Sequence, residues 1–256
     1  MPADVAFPLA PLFGFLFVLA RVAGVFVFVP LPGMTRGVDM ARTVLALGIT
    51  LALYPRWPAV ETETPLGAFA FGLVAEAALG ITIGMVVAFL QEAFLMGAQM
   101  VGLQAGFSYA SMINPATEDE SAVLLVVAEL AAGLLFFAFG LHREVLRGLV
   151  ASLDAYPPGA FLLSRPLVET VLRTGAVMFT TGLRLAFPAL ALLTMVDLAL
   201  ALLGRLQPNL QLLTVAFPAK MLAALALLAW LTALFPKLFL GAAGALLPVL
   251  RKAAGF

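Results

Sequence analysis

From residue 65 to residue 100 the chain reads PLGAFAFGLVAEAALGITIGMVVAFLQEAFLMGAQM, with Glu76 and Glu92 as its only charges. A helix needs roughly 20 apolar residues to cross the hydrocarbon of a bilayer. This stretch stays apolar well beyond that, and it shows no period-2 alternation. The reading is therefore helical and membrane-type, with packed helices rather than a barrel. Composition agrees: 63% of the 256 residues are hydrophobic and 11% are charged. A soluble domain of this size carries about a quarter charged residues and cannot hide such an apolar excess. The fold class expected is all-α, built from long, proline-broken helical hairpins in a single domain over residues 1–256.

Working outward, a first apolar run covers about Pro8 to Val29 and stops at Pro30-Leu31-Pro32-Gly33. Because the preceding residues lack the basic region of a cleavable signal, this run reads as a retained anchor. Arg36 and Arg42 lead into a second run, about Thr43 to Leu53, closed by Tyr54-Pro55-Arg56-Trp57-Pro58, residues typical of a membrane interface. Beyond the long third stretch, a fourth run extends from Ser121 to Leu141 and meets the polar patch His142-Arg143-Glu144, read as a loop. Two further long runs follow, Leu167 to Leu203 and Leu210 to Leu250. Pro188 is expected to bend the first, and Pro218 and Pro236 to interrupt the second. Five to seven helical stretches result. The distribution of Lys and Arg does not settle topology.

Eight charges sit within or beside apolar runs: Arg21, Glu76, Glu92, Glu129, Arg173, Arg184, Asp197 and Lys220. An unpaired charge at mid-membrane costs roughly 2.5–3.5 kcal/mol on insertion scales. Acids and bases balance four against four, which fits pairing without showing which residue meets which. Arg21, Glu76, Arg184, Asp197, Lys220 and the turn residue Arg205 are the candidates for buried charge. Gly80-Ile-Thr-Ile-Gly84 and Gly102-Leu-Gln-Ala-Gly106 carry the spacing that lets helices approach closely, so Gly80, Gly84 and Gly102 are packing candidates. Together these features suit a packed assembly of several proteins.

Little points to chemistry. The chain has no cysteine, one histidine, and zero net charge from 14 basic and 14 acidic residues, so no nucleic-acid surface or thiolate site is expected. Ser108 and Ser111 have no activating base nearby in sequence. No catalytic residue, metal site or cofactor is assigned. A solute or ion transporter with Glu76, Glu92, Asp197 or Arg184 at its midplane remains a rival class, since broken helices and buried charges are its signature too.

The most unusual segment is GLQAGFSYASMINPATEDES, Gly102 to Ser121, where small and aromatic residues alternate before Asn114-Pro115 and three acids. It joins several motifs in order: Arg21-Val22-Ala23-Gly24, Glu76-x3-Gly80-x3-Gly84, Gly182-Leu183-Arg184-Leu185-Ala186-Phe187-Pro188, Leu203-Gly204-Arg205-Leu206-Gln207-Pro208-Asn209-Leu210-Gln211 and Phe217-Pro218-Ala219-Lys220. In this order the chain resembles the FliR family, the R component of the flagellar type III protein-export gate, related to the equivalent subunit of virulence secretion systems. It departs from the family pattern at Asn114, where Asp is common, and at Asn209 and Gln211, which are exchanged.

That resemblance implies a non-enzymatic gate subunit of the bacterial inner membrane and flagellar basal body. It implies partners: the P and Q components, further export-apparatus membrane proteins, membrane lipid, and unfolded secreted proteins as cargo. Much of such a gate is lifted out of the bilayer plane, with protein neighbours replacing lipid. It also implies that Gly106, Phe107, Ser108, Tyr109, Ala110, Ser111, Met112, Ile113, Asn114 and Pro115 form a plug in the pore. The same resemblance leaves an injectisome subunit as the nearest alternative.

Overall fold

A computed structural model of the chain describes residues 9–31, 37, 39–58, 65–106, 122–159, 165–206, 218–226, 229 and 235–255. All regular structure among them is helical: α1 (Leu9–Phe28), α2 (Met40–Ala52), a 3-10 turn (Tyr54–Arg56), α3 (Leu66–Ala105), α4 (Ala122–Ala138), α5 (Leu141–Ala155), α6 (Arg165–Leu206), helical residues 218–226, and α7 (Phe235–Ala254). Among the described residues three single helices are long and apolar enough to cross a membrane, Pro11–Phe28, Leu66–Ala105 and Val168–Leu206, and the pair Leu125–Ala138 and Leu141–Ala155, bent by 65°, would make a fourth span if taken together. The all-α, membrane-type reading holds.

Local chemistry explains most boundaries. The Asp39 carboxylate accepts from the Met40 N–H at 2.7 Å and opens α2, as an N-cap acid does. Gly106, at φ +88°, and Gly140, at φ +68°, sit where the chain leaves α3 and enters α5, in a region that costs L side chains energy. Pro236 is the second described residue of α7, a position at which a helix start accommodates proline without losing a hydrogen bond. Pro188 and Pro248, by contrast, lie inside α6 and α7.

One expectation is overturned. His142, Arg143 and Glu144 form the first turn of α5, not a loop. Leu141, Val145, Leu149 and Ser152, with Gly148 and Leu153, bury one face at helical spacing, and the polar residues occupy the other. A short amphipathic helix between longer apolar runs reads as polar interruption when hydrophobicity is scanned without its period.

The chain divides into two compact units. The first comprises Met1–Ala88, Gly140–Thr174 and Ala245–Phe256; its core draws on Val18, Val22 and Val25 of α1, Leu79 and Ile83 of α3, and Leu149 of α5. The second comprises Phe89–Phe139 and Gly175–Gly244. Its core is Val101, Ala105, Ala186, Ala189, Leu193 and Ala224, flanked by Met100, Leu190, Ala223 and Phe235. Phe94 and Phe139 extend it through ring contacts with Phe239 at 5.1 and 6.1 Å.

Candidate functional site

Helices α1 and α3 meet backbone to backbone along a line of glycines. A Cβ on Gly24 would fall 2.6 Å from the Ala77 carbonyl oxygen. One on Gly80 would collide with the Arg21 backbone, and one on Gly84 would reach the Val25 carbonyl oxygen at 2.5 Å. Glu76 lies one turn before Gly80, so this approach brings Glu76 and Arg21 together.

Both side chains are fully buried, and their donors and acceptors are matched. Arg21 Nε and Nη2 each stand 2.6 Å from Glu76 Oε2. Nη1 donates to the Ser152 carbonyl at 2.6 Å, and Nη2 to the Tyr156 carbonyl at 2.8 Å. The other carboxylate oxygen, Oε1, accepts from the Gly159 N–H at 2.9 Å. A buried ion pair holds only when its remaining hydrogen-bonding capacity is met, and here the end of α5 and the turn after it meet that need. The arrangement is a clamp joining α1, α3 and α5.

A second clamp escaped the sequence reading, which used Arg42 only as a loop charge. Arg42 is buried, and its Nη1 donates to the carbonyls of Phe26 at 2.5 Å and Val29 at 2.8 Å. A cation thereby meets carbonyls at the C-terminal end of α1, where the helix dipole favours positive charge. Its signal lay in spacing: Arg42, Ala46 and Thr50 share the buried face of α2 at i, i+4, i+8.

In the second unit, Asp197 of α6 collects two partners. Its Oδ1 stands 2.7 Å from Lys220 Nζ, and its Oδ2 accepts from Gln104 Nε2 at 3.0 Å. Gln104 occupies the last turn of α3, beside the core residues Val101 and Ala105, and Gly102 is buried on the same turn. This node is wetter than the first, with the Asp197 side chain 39% exposed. Beside it an apolar groove of about 640 Å³ is lined by Leu192, Leu193, Met195, Val196, Ala199, Ala223 and Ala226.

Gly106 ends α3, its N–H donating to the Leu103 carbonyl at 3.2 Å. The remaining residues assigned to a plug, Phe107, Ser108, Tyr109, Ala110, Ser111, Met112, Ile113, Asn114 and Pro115, lie outside the described residues. Arg184 and Arg205, expected as buried charges, are exposed. Among the described residues no group of three or more metal-ligating side chains converges.

Residues 12–245 match the family described as bacterial export proteins, family 1. The chain is 32% identical to the flagellar biosynthetic protein FliR of Escherichia coli K12 over 188 residues, covering 72% of this chain and 71% of that one. Its counterpart in Pectobacterium carotovorum is 28% identical over 76% of each chain. The Yop proteins translocation protein T of Yersinia pestis is 25% identical over 82% of each. With the match running through both units and every clamp residue, the chain belongs to the bacterial export proteins of family 1.

Proposed function

We propose that this chain is the R-type subunit of the flagellar type III protein-export gate, a membrane component of the machine that passes unfolded flagellar proteins out of the cytoplasm. The observation that carries this reading is the family match over residues 12–245 together with FliR relatives aligned over about seven-tenths of both chains. On this reading residues 1–256 act as one functional domain, assembled with P and Q components and further export-apparatus proteins in the inner membrane, at the flagellar basal body. The chain contributes walls and a plug rather than catalysis, and energy comes from its partners.

Gly106 through Pro115 form that plug. Phe107, Tyr109, Met112 and Ile113 supply apolar bulk, Ser108 and Ser111 supply hydroxyls for a wet lumen, and Asn114-Pro115 ends any helix. A block held by apolar contacts yields to an unfolded polypeptide and recloses. The exposed apolar residues of α6, among them Phe187 at 66% and Met195 at 68%, support a chain that is covered by neighbours.

Deleting the gene in its native host is expected to abolish filament export and swimming. Intact swimming with loss of effector secretion would transfer the assignment to an injectisome, the reading that the Yersinia similarity favours. Loss of neither would overturn both. Removing Phe107 to Ile113 is expected to raise ion leakage through an assembled gate; unchanged leakage with normal assembly returns the segment to a connecting loop.

A further inference from the structure

The helix that the sequence disguised as a loop carries an unusual outer face. Opposite the buried residues of α5, Arg143, Leu146 and Arg147 are exposed, with Asp154 further along. The last turn of α7 lies beside this face, because Arg251 Nη2 reaches Glu144 Oε2 at 3.4 Å while Arg147 Nη1 holds Oε1 at 2.8 Å. One acid thus serves two arginines, and the side chains of Arg143 and Lys252 have no ion-pair or hydrogen-bond partner among the described residues. At this end of the face two cations share the Glu144 carboxylate and two more stand unpaired.

The other end of the face is aromatic. Asp154 pairs with Arg56 at 3.0 Å, which brings the 3-10 turn alongside. Tyr54 in that turn is 63% exposed, and Tyr156, just past α5, is exposed as well. Tyrosines enriched at headgroup depth and cations facing lipid phosphates are the two marks of a helix lying in a membrane interface. In sequence, α5 also follows directly on the apolar α4, where a chain leaving hydrocarbon would enter that layer.

We infer that the outer face of α5, with Arg251 and Lys252 of α7 and the rings of Tyr54 and Tyr156, docks on the headgroups of anionic phospholipid. An acidic protein would answer the cations, but the tyrosines and Leu146 between the arginines fit the graded polarity of a headgroup layer better. The inference stands apart from the export-gate reading, since it concerns where the chain meets lipid and not what passes through it.

The absence of native cysteine makes the test direct. The full chain with Leu146→Cys, labelled with an environment-sensitive fluorophore, would be reconstituted in phosphatidylcholine vesicles with or without phosphatidylglycerol. Phosphatidylglycerol is expected to shift emission to the blue and cut iodide quenching several-fold, an effect lost at high salt. Arg143→Gln with Lys252→Gln should weaken the response, whereas Arg143→Lys with Lys252→Arg should keep it; neither pair removes the Glu144 bridges. Equal quenching in both vesicles would overturn the inference. Protection that appears only on co-assembly with other export proteins, whatever the lipid charge, would overturn it too and make the face a protein contact. Swimming in the same variants tests the gate reading separately.

Discussion

Two ion pairs in this chain have similar distances and different worth. Arg21 and Glu76 are both 0% exposed, so removing one partner strands the other in a low-dielectric site. Arg21→Ala is expected to cost about 3–5 kcal/mol, read as thermal unfolding of the detergent-solubilised chain. Replacing both partners, Arg21→Met with Glu76→Leu, should cost less than Arg21→Ala alone; a larger loss for the double variant would show that the clamp works by something other than uncompensated charge. Asp197 and Lys220 are partly hydrated, at 39% and 17%. Asp197→Asn should therefore cost about 1 kcal/mol or less, measured in the same way. The sequence set all four residues apart as charges in apolar company. It could not pair them, because Arg21 and Glu76 lie 55 positions apart and most of their remaining partners are backbone groups, which carry no residue signature.

At the scale of elements, glycine has opposite meanings at two helical positions. Gly80 of α3 abuts the Arg21 backbone, while a Cβ on Gly48 of α2 would meet nothing within 4 Å. Gly80→Val should separate α1 from α3 and break the clamp, lowering the yield of folded protein sharply. Gly48→Ala should instead gain up to about 1 kcal/mol from helix propensity. Thermal scans of both variants check the contrast, and a neutral Gly80→Val would refute the close approach. Spacing alone flagged Gly80 and Gly84 but could not say which helix they face. The misread α5 teaches the same lesson in another way. Its polar first turn was legible only by testing a helical period across His142 to Asp154, where the buried Leu149 and Ser152 complete a face.

For the whole molecule, the decisive contrast is between α3 and α6. The chain itself buries 61% of the apolar span in α3 but 17% of that in α6. Apolar surface left over on this scale needs lipid or protein to cover it. With Phe187→Cys in the cysteine-free chain, maleimide labelling should be rapid for the purified subunit and slowed at least several-fold after co-assembly with its export partners. Equal rates would place that face away from any subunit boundary. By itself the sequence determined the membrane-type, all-helical class, the approximate spans of α1, α3 and α6, and the family, because apolar length and ordered motifs are properties of the chain read one residue after another. Only the tertiary structure decided that Arg21 meets Glu76, that Arg42 closes the end of α1, and that Asp197 gathers Gln104 and Lys220. Those contacts join residues distant in sequence, and the close helix approach that permits them is set by packing in three dimensions.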